Sequence, residues 1–247
     1  FFAGGVVGAS LTKFPDRAGS LYGVNLVGAA LGCLLSLWVP AMLGASRAVV
    51  VVGLLGLLAA AILVSGRHRR SLVPLVLMAT ALIAILAFPA VLELNISPHK
   101  SIAQALRAEG TSKVWSKWNA FSLVEVIEGP SLHMAPGLSF TYAGELPSQI
   151  GIAVDGDNLS PLTELRPDEA RFTEFLPTAL VYHLSPGADA LLIEPKGGLD
   201  LLTALHHDVK SVVAVLSNPL VYEVSADHFG SRAGHVYSDP RVEVELG

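Results

Sequence analysis

The sequence predicts a helical membrane region followed by an α/β domain, in which a small β-rich subdomain leads into a doubly wound parallel sheet. Three observations predict it. Residues 1–92 hold one acid, Asp16, and six bases, whereas residues 93–247 hold the other 20 acids and 10 bases, a net charge of −10. The first part contains apolar runs at Leu21–Leu43, Ala48–Val64 and Leu72–Leu92, and roughly 20 apolar residues span a bilayer. The last part alternates short apolar runs with helix-length segments, the pattern of strands joined by helical crossovers.

The mean hydropathy of +0.56 is therefore an average over two unlike parts. Phe1–Leu11 reads as the tail of an earlier span, and RVEVEL runs up to Gly247. Both ends read as cuts in a longer protein. Gly4-x-x-x-Gly8 and Gly28-x-x-x-Gly32 predict close helix approach, and Asn25 an amide hydrogen bond to a neighbouring helix. The three full runs contain no acid, base or histidine, so no ion pathway is visible in them. The basic loops around Lys13 and Arg17 and at Gly66–Ser71 lie on one side by parity, which the positive-inside rule places in the cytoplasm. By that count the soluble half lies outside, although Lys100 and Arg107 pull the other way. Cys33 is the only cysteine, which excludes a disulfide framework, and its apolar run predicts a small buried hydrophobe. The acidic half would be repelled by nucleic-acid phosphates, so a nucleic-acid partner is set aside.

Residues 93–165 read as a linker helix and a small β subdomain: Ser101–Glu109 is helical, and Ser122–Ile127, Leu138–Tyr142 and Gln149–Val154 are strand-like. From residue 166 to 247 the pattern becomes α/β. Asp168–Leu184 reads as a helix with Phe172, Phe175, Leu176 and Leu180 on one face and a kink at Pro177. Ala190–Ile193, Ser211–Leu216 and Arg241–Leu246 are strands, with helices at Leu199–His206 and Pro219–Phe229 between them.

The stretch LLIEPKGGLDLLTAL, Leu191–Leu205, is then a strand, a tight loop and a helix. Ligands of such sheets sit at the carboxyl ends of strands, near the first helix N-terminus. Gly197 and Gly198 admit a ligand close to the backbone. An acid expected at the end of the second strand is replaced by Leu216, and Asn218 offers a hydrogen bond to a hydroxyl instead. Simpler readings stand beside these: Asp155 before Gly156 is a turn former, Asp200 complements a helix dipole, and Lys196 is a solvated loop base. Trp115 and Trp118 read equally as interface anchors or pocket walls. His206-His207-Asp208 is not read as a metal site, since adjacent histidines rarely share an ion.

Six segments in order, RAGSLYGVNLVGAALGCLL, SKWNAFSLVEVIE, AVDGDNLSPLTEL, LLIEPKGGLDLLTAL, VVAVLSNPLV and YSDPRVEVELG, resemble the membrane-fused spermidine synthase-like proteins. These are relatives of the polyamine aminopropyltransferases. The resemblance covers nearly the whole chain. It implies a small β subdomain ahead of a Rossmann-like domain of the class I S-adenosylmethionine-dependent methyltransferase type. It further implies decarboxylated S-adenosylmethionine, or S-adenosylmethionine, as co-substrate, a small amine as acceptor, membrane lipids as surroundings and no metal. Because adenosyl cofactors are made inside cells, it places the soluble half in the cytoplasm.

Carried over by position, Asn119 stands where the family often has a glutamine beside the cofactor, and Asp155 in the Asp-Gly turn facing the substrate. Phe172 and Glu174 fall near a tyrosine and an acid of the substrate side. Gly197 takes the place of the acid that grips the cofactor amine, leaving Glu194 or Asp200 to replace it, with Gly198 and Asn218 completing the cofactor set. The family's catalytic acids would follow the third strand, beyond Gly247. Aminopropyl transfer is the reading that results. A non-catalytic tethered scaffold with a degenerate site, and a methyltransferase of unknown acceptor, are the alternatives. Homo-oligomerisation is left open.

Overall fold

The computed structural model describes residues 2–64, 72–88, 92 and 96–247. The chain divides into two compact units, Phe1–Leu94 with Trp118–Phe121, and Asn95–Lys117 with Ser122–Gly247.

The first unit contains α1 (Phe2–Lys13), α2 (Ala18–Leu43), α3 (Ala45–Val64) and α4 (Leu72–Ala87). Pro15–Leu43 and Ala45–Val64 are long and apolar enough to cross a membrane. Their sides are apolar all round rather than along one stripe. No residue of α2 is buried, and Val50 alone is buried in α3, whereas a core helix of a soluble protein hides a face. The 16 residues of α4 rise about 24 Å, short of the roughly 30 Å of a bilayer core. Residues 89–91, inside the expected third span, and the basic loop at 66–71 lie outside the described residues.

Three expectations for this unit are corrected. A Cβ on Gly4, Gly8, Gly28 or Gly32 would meet nothing within 4 Å, so neither glycine pair sits at a helix crossing among the described residues. The close approach lies instead at Gly53, where a Cβ would come 3.2 Å from Leu82 of α4. Cys33 is exposed, not buried, in a helix none of whose residues is buried. Asn25 is likewise exposed.

The second unit holds two sheets. The first has the order β1-β2-β3-β4, built from Ser112–Trp118, Leu123–Glu128, Gln149–Val154 and Asp157–Thr163. β2 is buried on both faces: Val124 and Val126 join the main core, and Ile127 joins a smaller cluster with Ile102, Leu132 and Ala153. Ile102 comes from α5 (Ser101–Ala105), shorter than the helix expected to Glu109. Asp155 and Gly156, at φ 53° and 74°, form the two-residue turn between the antiparallel β3 and β4, the backbone geometry that matches strand twist.

Leu138–Tyr142 is not a strand. The Ser139 hydroxyl accepts the Thr141 N–H, and the Tyr142 N–H returns to the Ser139 carbonyl at 3.1 Å, a local turn that outcompetes a ladder. β1 and β4 were not legible as strands. β4 carries Pro161, which its edge position tolerates.

The second sheet is parallel, β5 (Asp189–Ile193), β6 (Ser211–Leu216) and β7 (Val242–Leu246) in that order. The order never reverses among the described strands, so the expected double winding is not present there. α7 (Leu199–His206) covers one face, burying Leu201, Leu202, Ala204 and Leu205 against Val212, Ala214 and Leu216. The other face leaves Leu191 and Ile193 exposed. The helix expected over 168–184 is broken into 3-10 turns at Pro167–Glu169 and Arg171–Phe175 and then α6 (Ala179–Leu184). Phe172 and Leu176 are buried as expected, whereas Leu180 is exposed. The one over 219–229 becomes α8 (Pro219–Tyr222) and a wider-turn segment, Glu223–His228.

Candidate functional site

The carboxyl ends of β5 and β6 and the start of α7 converge on the loop Glu194–Gly198. Its backbone alternates: Glu194 at φ 56°, Lys196 at φ 48° and Gly198 at φ 89° are left-handed. A non-glycine residue in that region costs about 1–2 kcal/mol, so surrounding bonds must hold the loop there. Three do. The Glu194 carboxylate accepts the Ser217 N–H at 2.7 Å. The Lys196 carbonyl accepts from the Tyr237 hydroxyl at 2.6 Å and the Ser225 hydroxyl at 3.1 Å. The Gly197 N–H donates to the Ser160 hydroxyl of β4 at 3.2 Å.

Glu194 brings a carboxylate to the end of β6. That is where the sequence offered Leu216 and no acid. Leu216 itself is fully buried in the core, on the same face of β6 as Val212 and Ala214. Only one oxygen of Glu194 is used by the Ser217 N–H, and the other has no protein hydrogen bond among the described residues.

The glycines have a packing role. A Cβ on Gly197 would lie 2.3 Å from the Pro161 carbonyl oxygen, and one on Gly198 would lie 2.8 Å from Val236. On the side where a Cβ would stand, each glycine meets neighbouring protein. Asn218 also faces inward. Its Oδ1 caps α8 by accepting the Leu220 N–H at 3.1 Å, and its Nδ2 donates to the Ser122 hydroxyl at 2.9 Å. The buried side chain is thus bonded within the protein at both ends.

Asp200 stands exposed in the first turn of α7. It borders a cleft of about 470 Å³ along β5, lined also by Tyr182, Val181, Ser185 and Asp189. Partial desolvation pushes its carboxyl above the usual range. Desolvation first and Asp200 second push the Tyr182 hydroxyl up as well.

The substrate-side residues are tied down locally. Asp155 accepts the Leu123 N–H at 2.9 Å on its side chain, and its carbonyl accepts from Lys100. Glu174 pairs with His206 Nε2 at 3.2 Å, while Nδ1 of His206 meets the Pro167 carbonyl at 2.7 Å. Asn119 accepts the Phe121 N–H at 3.1 Å and belongs to the first unit, not to the unit holding the loop. Trp115 packs on the main core, its ring 5.6 Å from that of His228. Among the described residues no three His, Cys, Asp or Glu side chains are placed to hold a metal ion. Sequence reasoning missed Tyr237, Ser225 and Ser160 because each reaches the loop from a distant segment.

No family model matches the chain, and no curated protein matches it. Among solved structures it is similar to spermidine synthase from Thermotoga maritima, at 18% identity and a TM-score of 0.39 over 55% of this chain and 41% of that one. A spermidine synthase in complex with the transition-state analogue AdoDATO matches at the same identity, TM-score and coverage of this chain, over 39% of its own length. The chain spans about two-fifths of the length of these structures.

Proposed function

We propose that the chain binds an adenosyl ligand at the carboxyl ends of β5 and β6 and that Glu194 receives the ribose hydroxyls. The observation that carries this reading is the Glu194 carboxylate, fixed at the end of β6 by the Ser217 N–H with a second oxygen left over. A carboxylate at that strand end is what a ribose diol needs. The reaction class comes from the resemblance in sequence: an amine lone pair displaces the sulfonium of decarboxylated S-adenosylmethionine. A C–N bond forms, the C–S bond breaks, the thioether leaves neutral, and a carboxylate takes the amine proton. Asp200, with its raised affinity for protons and its place on the cleft, is the acid of this set suited to that last task. We also propose that α2 and α3 span a membrane and that the second unit faces the cytoplasm, where the ligand is made.

A second reading has its own support. Asp155, Glu174, Gly197 and Asn218 are all committed to contacts inside the protein, which favours a tethered binding domain without catalysis. The two readings share the adenosyl site and part at turnover. Calorimetric titration with adenosine, on the chain and on Glu194→Gln, tests the site. Release of methylthioadenosine from decarboxylated S-adenosylmethionine on adding a small amine separates enzyme from scaffold.

A further inference from the structure

We infer that Tyr237 and Ser225 are positioning residues for the ligand loop, acting through one backbone carbonyl; this rests on the adenosyl reading above. Both hydroxyls donate to the Lys196 carbonyl, at 2.6 and 3.1 Å. That carbonyl belongs to the middle left-handed residue of the loop. Turning Lys196 to an ordinary conformation would swing the peptide that joins it to Gly197, and with it the N–H that Gly197 gives to Ser160. The clamp therefore sets the path from Glu194 to the start of α7, and through it the direction of the Glu194 carboxylate.

Tyr237 is suited to a fixed role. Its ring is buried and lies edge-on to Tyr222 at 5.9 Å between centroids. Burial, followed by the charges of Glu194 and Asp200, pushes its hydroxyl far above the usual range. Neither hydroxyl is placed as a ligand contact; their effect on binding is transmitted by the loop.

The test is a calorimetric titration of the whole chain with 5′-methylthioadenosine, beside Tyr237→Phe, Ser225→Ala and the control Tyr222→Phe. Loss of one hydrogen bond that holds the bound geometry is expected to weaken binding by roughly 3- to 10-fold in Tyr237→Phe and by less in Ser225→Ala. Tyr222→Phe leaves affinity unchanged. Amide hydrogen exchange is read in parallel, and Gly197–Leu199 are expected to exchange faster in Tyr237→Phe while Val212–Leu216 do not. A Tyr237→Phe chain with a lower melting temperature and unaltered affinity overturns the inference, because the hydroxyl would then be structural alone. Unaltered exchange at the loop overturns it equally. If the unmodified chain takes up no 5′-methylthioadenosine, the adenosyl reading fails and the positioning role fails with it.

Discussion

Gly197 shows how a residue can be read correctly in sequence for the wrong partner. Its lack of a side chain marked a place of close approach, and close approach is what the structure has. The partner is the Pro161 carbonyl of β4, 2.3 Å from where a Cβ would sit, and backbone cannot step aside as a side chain can. Gly197→Ala is expected to cost about 1–3 kcal/mol by overpacking, read as a lower melting temperature of the detergent-solubilised chain. An unchanged melting temperature would show that β4 does not press on the loop. His207 carries a second residue-scale prediction. Its ring packs on Tyr182 at 5.8 Å, His183 at 4.8 Å and His206 at 5.3 Å. Burial first, then the neighbouring His183 and His206, lower its pKa from 6.5, against the opposing pull of Glu174 and Asp208. The unfolded chain therefore takes a proton on His207 at higher pH than the folded chain does. The stability this provides is full above about pH 6.5 and is lost as the pH falls from there through the lower folded value. His207→Gln is expected to flatten the decline in melting temperature between pH 7 and 5. An equally steep decline in the variant assigns it elsewhere.

At the scale of elements, legibility followed the range of the forces. α7 and β6 were predicted to the residue, because each buries a regular apolar pattern against one core. β3 was too, since the Asp155-Gly156 turn fixes its end. What failed depended on partners the sequence does not pair. β1 reads SKVWSKW and becomes a strand beside β2, where Lys113 pairs with the buried Glu125. Leu138–Tyr142 has strand-like residues but closes on itself through Ser139. The strand-end loop of the proposed site was legible as a strand, a loop and a helix, while the acid at the end of β6 arrives from the loop after β5. Leu216 makes this concrete. A carboxylate there was expected to face a ligand, yet the residue is fully buried between β6 and α7. Leu216→Glu is expected to destabilise the second unit by several kcal/mol, because it buries a charge with no partner. Aggregation or loss of the cooperative unfolding transition is the readout. A stable, folded Leu216→Glu chain would mean that β6 ends in another register.

The whole molecule divides into a unit of exposed apolar helices and an α/β unit. α2 and α3 expose large apolar side chains along their length, among them Leu34, Trp38, Met42, Val52, Leu58 and Ile62. Water would penalise that surface by about 25 cal/mol for each Å², which a bilayer removes. Membranes carrying the chain are expected to retain it through alkaline carbonate extraction; release into the soluble fraction would contradict the spanning role of α2 and α3. The apolar helices α2 and α3 were legible from the sequence alone, because a run of about 20 apolar residues needs no partner to be recognised. The α/β unit needed its folded contacts before a ligand could be proposed, and the central claim there is the carboxylate of Glu194 at the end of β6. The most direct measurement is a calorimetric cycle of the chain and Glu194→Gln, each titrated with adenosine and with 2′,3′-dideoxyadenosine. Hydrogen bonds to a charged acceptor contribute about 1.5–3 kcal/mol, or roughly 10- to 150-fold in affinity. The account predicts that the substitution removes that preference for adenosine and leaves dideoxyadenosine binding nearly unchanged. Equal weakening of both ligands, or a full ribose preference in Glu194→Gln, would contradict it.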